Sequence, residues 1–156
     1  PGFKTENKGI ATWTPVKTKI KNIVAGKKSI SEKGPGGSVA IETELDPSQT
    51  KTDSLVGNVI GNPGKTPEII YNLKIETHLF DKVLGAKEDL QIEEIKVNEP
   101  LVINIGTATT WGLVNRIGNT TVINLKRAIS ANRGAKIAIS RKFGSRWHLI
   151  GWGEIK

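Results

Sequence analysis

The stretch Glu68-Ile69-Ile70-Tyr71-Asn72-Leu73-Lys74-Ile75-Glu76-Thr77 decides the fold class. In an extended chain Ile69, Tyr71, Leu73, Ile75 and Thr77 share one face and Asn72, Lys74 and Glu76 the other, a period of two that no helix satisfies. The same period returns on both sides of this stretch. Val16, Thr18 and Ile20 alternate with Lys17, Lys19 and Lys21, and Val39, Ile41, Thr43 and Leu45 alternate with Ala40, Glu42 and Glu44. Further strands are predicted at about 90–97, 100–106, 111–117, 120–127, 135–142 and 146–155. Gly26-Lys27-Lys28, Lys33-Gly34-Pro35-Gly36-Gly37, Gly118-Asn119 and Asn132-Arg133-Gly134 supply turn chemistry between them. A sustained 3.6-residue period occurs nowhere, so the fold class is all-β, with strand spacing that suits barrels.

Gly61-Asn62-Pro63-Gly64-Lys65-Thr66-Pro67 concentrates linker residues and places a domain boundary between 64 and 65. Residues 65–156 are numerous enough for a closed barrel of six or seven strands. Residues 1–64, with about four strands, are expected to form only part of one.

The chain has 156 residues, 37% of them hydrophobic and 24% charged, which suffices for a buried core without cross-links. It has no cysteine, which excludes disulfides, thiolate nucleophiles and cysteine-based zinc sites. No apolar run exceeds three residues, as in Leu101–Ile103, so neither a membrane-spanning helix nor a signal-peptide core is expected, and a cytoplasmic location is. The formal net charge is +8, and residues 100–156 contain nine Lys and Arg against Glu154 alone. All five arginines lie there, a bias that points to a polyanionic partner.

Enzyme motifs fail on inspection. Gly64-Lys65-Thr66 ends like a phosphate-binding loop, but Val59 stands where the first glycine belongs, and a strand follows where a helix N-terminus is needed. His78 and His148 stand far apart, outside any metal-ligand spacing. Glu93 and Glu94 are neighbours expected on opposite strand faces, and His148 is expected at a barrel rim. No catalytic or metal-ligating residue is therefore assigned. Two stretches suit RNA. The threonines of Gly106–Gly112 offer hydroxyls to phosphate or form a barrel corner, and Ser140-Arg141-Lys142-Phe143-Gly144-Ser145-Arg146-Trp147-His148 gathers bases and aromatics about one turn. Arg141, Lys142 and Arg146 are the candidate phosphate contacts, with Lys126 and Arg127 extending the same surface.

Ala138-Ile139-Ser140-Arg141, Ser145-Arg146-Trp147 and Leu149-Ile150-Gly151-Trp152-Gly153 closely resemble the C-terminal end of the gamma subunit of translation initiation factor 2. Gly36–Ile41, Leu45-Asp46-Pro47, Thr50-Lys51 and Asp53 resemble the family's second domain, and Leu84–Glu88 and Asn104–Thr110 its third. The resemblance implies two elongation-factor-Tu-like β-barrels, one partial over 1–64 (domain II) and one complete over 65–156 (domain III). It implies that the GTPase domain, with its GTP and Mg, lies outside this chain. It further implies help in holding initiator methionyl-tRNA and delivering it to the small ribosomal subunit, docking of the alpha subunit on the second domain, and a beta subunit held through the missing domain. Gly36, Gly37, Ser38 and Val39 fall where related factors approach the aminoacylated 3′ end. The alternatives are a barrel module of another such factor, for instance one specific for selenocysteine-tRNA, and a hydrolase.

Overall fold

The computed structural model describes residues 1–83 and 91–156. Its elements are the strands β1 (Phe3–Asn7), β2 (Ile10–Thr14), β3 (Ile20–Ala25), β4 (Lys28–Ile30) and β5 (Ala40–Thr43), a 3₁₀ turn at Pro47–Gln49, and then β6 (Ile69–Leu79), β7 (Pro100–Ile105), β8 (Ala108–Arg116), β9 (Thr121–Ser130), β10 (Lys136–Phe143) and β11 (Arg146–Ile155). The packing divides them into two compact units, Pro1–Thr14 with Val56–Lys156, and Pro15–Leu55. That division differs from the boundary at 64/65 expected from the linker composition.

In the first unit β6 to β11 close into a six-stranded antiparallel barrel of order β10-β11-β6-β9-β8-β7. Closure removes sheet edges and gives every strand two partners. The interior is filled by β-branched and leucine side chains: Leu73 and Ile75, Leu101 and Ile103, Val114, Ile123, Ile139 and Ile150 are all fully buried. These residues come from all six strands, and burying each contributes about 1.5–3 kcal/mol.

In this unit two of the expected strand readings change. The ladder between β6 and β9 is irregular between Ile70 and Asn72. This turns Ile70 toward the core beside Leu73 and Ile75, and leaves Tyr71 exposed. Tyr71 instead accepts a hydrogen bond from the Trp13 N–H (3.1 Å) and packs against the Trp13 ring, tying the β1–β2 hairpin to the outside of the barrel. Residues 92–99 form a loop and no strand. Ile92 N–H bonds to the Asp81 carbonyl, Asn98 N–H to that of Val114, and Val114 N–H to that of Glu99, so the loop crosses one barrel end with Ile95 buried beneath it.

Glycine explains how β11 fits. A Cβ on Gly151 would collide with the His78 carbonyl oxygen, and one on Gly153 would lie 3.0 Å from that of Glu76. The intervening Trp152 faces outward, stacked on His78 with centroids 4.1 Å apart, with Lys136 Nζ 5.1 Å from its ring.

In the second unit β3 pairs antiparallel with β4 and β5 in an open sheet of order β4-β3-β5. Val16 and Lys17–Lys19 precede the strand they were expected to start, which begins only at Ile20. No residue of Pro15–Leu55 is buried; Ile20 is 52% exposed and Val39 and Ile41 are 38% exposed.

Candidate functional site

The five bases expected to form one surface lie on three strands, β9, β10 and β11. Antiparallel partners directly opposite each other share a sheet face. Arg141 pairs with His148, Lys142 with Trp147 and Phe143 with Arg146. Lys142 therefore projects with Trp147 from the outer wall, whereas Arg141 and Arg146 belong to the other face of the same hairpin. The Gly144-Ser145 turn, with Gly144 at φ 57°, reverses the chain between them.

Arg141 is occupied. Its Nε donates to Glu99 Oε1 and its Nη2 to Glu99 Oε2 (3.2 Å), while Nη1 and Nη2 reach the carbonyls of Glu93 (2.8 Å) and Glu94 (3.2 Å). The two charged side chains are only 12% and 16% exposed. Arg141 thus clamps the 92–99 loop to the end of the barrel, which corrects its assignment as a phosphate contact: a guanidinium with four internal hydrogen bonds has little left to offer an anion. Lys96 steadies the same loop, its ammonium 2.6 Å from Glu93 Oε2; that hydrogen bond, with the Lys96 charge, holds the Glu93 carboxyl below its ordinary range.

Lys126 and Arg127 lie on β9, which is three strands from β10 in either direction around the ring. They occupy the opposite wall and cannot extend the hairpin's surface, a second correction. Arg127 Nη2 donates to the Val56 carbonyl (2.8 Å), and its backbone exchanges two bonds with the Thr110 hydroxyl. Thr110 is buried, so the threonine stretch is a barrel element: Gly106-Thr107 is a turn, β8 starts at Ala108, and Thr109 Oγ1 accepts from Asn104 Nδ2 (2.7 Å). Lys126 stays exposed, with the Glu6 carboxylate as a nearby charge. Arg146 is exposed and, among the described residues, without an ion-pair partner.

Gly36, Gly37, Ser38 and Val39 lie in the exposed loop before β5. Gly36 and Gly37 have φ of 102° and 74°, which side chains other than hydrogen rarely adopt. Leu84–Glu88, part of the resemblance, falls outside the described residues. His148 sits edge-on to Phe143, with centroids 6.0 Å apart, at the barrel rim. Among the described residues no group of three or more His, Asp or Glu could hold a metal ion, and no helix is long and apolar enough to cross a membrane.

Sequence reasoning missed the Arg141–Glu99 clamp, because 42 residues separate the partners and no local pattern joins them. By contrast Gly151-Trp152-Gly153 carried a usable signal, two small residues inward and one large residue outward.

A closed antiparallel barrel of this kind, bearing a basic hairpin, places the chain among the elongation-factor-Tu-like β-barrel domains. The family described as "Initiation factor eIF2 gamma, C terminal" matches residues 71–155, more than half of the chain, and the chain belongs to that family. Proteins named translation initiation factor 2 subunit gamma match along its whole length: that of Methanosarcina mazei is 47% identical over 157 residues, that of Methanothermobacter thermautotrophicus 45% over 158, and that of Archaeoglobus fulgidus 43% over 157. The chain covers 36%, 38% and 36% of those proteins respectively, well under half.

Proposed function

We propose that the chain is the noncatalytic C-terminal part of a gamma subunit of translation initiation factor 2, which helps hold initiator methionyl-tRNA and deliver it to the small ribosomal subunit. The observation that carries this reading is the similarity to gamma subunits over all of the chain, not the barrel alone. In this reading residues 1–64 are the C-terminal part of domain II and 65–156 domain III. The alpha subunit docks on the former. The beta subunit, GTP and its Mg belong to the GTPase domain outside the chain. Gly36 and Gly37 let backbone approach the aminoacylated 3′ end, with Val39 against the methionyl group.

RNA phosphates fall to the bases whose charge faces solvent. Arg146 at the hairpin tip and, on the opposite wall, Lys126 meet that requirement; Lys142 is equally exposed but is the one charge of an apolar wall, and Arg141 and Arg127 are held by internal hydrogen bonds. Each neutralised phosphate releases condensed counterions, so Arg146→Ala lowers the magnitude of the slope of log affinity against log salt by about one. Initiator tRNA titrated against the chain at several salt concentrations tests this, with Lys4→Ala as control because Lys4 is already paired to Glu6 (2.8 Å). Equal slopes for wild type and Arg146→Ala would refute the phosphate contact. Micromolar binding of GTP or GDP in calorimetry would refute the placing of the nucleotide site outside the chain.

A further inference from the structure

The outer wall of the barrel is divided unequally. Over β6, β9 and the start of β8 the chain covers itself: Trp13 sits on Tyr71, Arg127 holds Val56, and Gly57 lies so close to Ala108 that a Cβ there would be 2.9 Å from its Cα. Across β8, β7, β10 and β11 the register builds a different surface. Trp111 lies opposite Val102, Val102 opposite Ser140, and Ser140 opposite Leu149. One step along, Leu113 lies opposite Pro100, and Lys142 opposite Trp147.

Both rows face outward, because their neighbours Gly112, Val114, Leu101, Ile103 and Ile139 are buried. Trp111 is 45% exposed, Leu113 44% and Trp147 44%. Two half-exposed tryptophans and a leucine on one sheet face exceed the scattered single apolar residues of an ordinary surface. The rows contain no carboxylate, and Lys142 stands among them without an ion-pair partner among the described residues.

We propose that this wall, with Trp111 and Trp147 as anchors and Lys142 as its one charge, is a docking surface for a protein segment bearing apolar side chains and a carboxylate. The inference is independent of the tRNA reading. Tryptophan contributes large contact area and is enriched among residues that dominate binding. Lys142 selects the charge, since a carboxylate seated beside it gains a desolvated ion pair and a second cation is repelled. RNA is the weaker fit, because a backbone-tracking groove needs several cations and these rows offer one. A second copy is also disfavoured: a two-fold contact joins two walls that each carry Lys142 and no carboxylate, in a chain of net charge +8.

The test uses the 156-residue chain and three fluorescent probes: a 12-residue peptide alternating Leu or Phe with Glu, the same peptide with Lys for Glu, and a 15-nucleotide oligouridylate. The acidic peptide is expected to bind at least about tenfold more tightly than the basic one, roughly 1.4 kcal/mol. Trp111→Ser and Trp147→Ser each weaken it about tenfold, Lys142→Ala removes the preference for acidic over basic peptide, and Lys4→Ala changes nothing. All four positions are on the surface, so melting temperatures stay near wild type, and a variant that melts early is replaced by Leu113→Ser, read in the same way. Equal binding of both peptides, or no peptide binding, overturns the proposal. Oligouridylate binding lost in the same variants assigns the wall to RNA, and a wild-type dimer in sedimentation that Trp147→Ser dissolves assigns it to a second copy; either result overturns it too.

Discussion

The barrel of β6–β11 and the open sheet of β3–β5 are written in the same period-two alphabet, yet only one of them has an interior. In the barrel, Leu73, Ile103, Ile123 and Ile139 project from four different strands into one enclosed space and are fully buried. In the sheet, Ile20 on β3 and Ile41 on β5 come from stretches that alternate just as regularly and remain 52% and 38% exposed, because three strands that do not close have nothing to face. Alternation specifies a strand with two unlike faces; whether the apolar face is buried depends on how many strands surround it.

The largest expected effect comes from emptying the core. Ile103→Ala should destabilise the barrel by about 2–5 kcal/mol, whereas Ile41→Ala should cost under ~1 kcal/mol, both measured by urea titration of the barrel's tryptophan signal. Equal losses would erase the difference between the two regions. The Arg141 clamp should come next. Arg141→Ala leaves the mostly buried Glu99 carboxylate without its partner, and a loss of roughly 1–3 kcal/mol is expected in the same titration. Arg146→Ala, on the same hairpin but exposed, should lie within about 0.5 kcal/mol of wild type. Together they separate the structural arginine from the solvent-facing one.

How far the sequence could be read follows the same line. Strands β7 to β11 and their turns were legible because each is short, alternating and punctuated by glycine or asparagine. The face of Tyr71 was not, since a ladder irregularity at 70–72 inverts the alternation locally and leaves no mark in composition. The 92–99 loop was read as a strand because Ile92 and Ile95 are apolar, although tertiary bonds from Arg141 and Val114 are what hold it. The basic candidate surface was the least legible part. Neighbours in sequence lie on opposite faces of a strand, which divides Arg141 from Lys142, and strand order around the ring, which sets Lys126 across from Lys142, is a property of topology alone.

The smallest effect is electrostatic and local. Glu93 titrates below its ordinary range chiefly through its hydrogen bond to Lys96, so its contribution is present above the unfolded-state pKa and lost as pH falls through the lower folded value. Lys96→Ala should return the Glu93 carboxyl toward its ordinary titration in carboxyl-detected NMR. An unchanged titration would show that the lysine contact is not its cause. Salt should produce a similar upward drift, since the pair is exposed.

Native-state hydrogen exchange on the 156-residue chain tests the contrast most directly. If the barrel alone owns a cooperative core, ladder amides at Leu73, Ile103, Ile123 and Ile139 should exchange only through a shared global opening, with one common free energy. Those at Asn22, Ile23 and Glu42 should exchange roughly a thousandfold faster through local opening. Protection of β3–β5 to the same free energy as the barrel would contradict the account, because a sheet with no buried residue would then be opening only with the core.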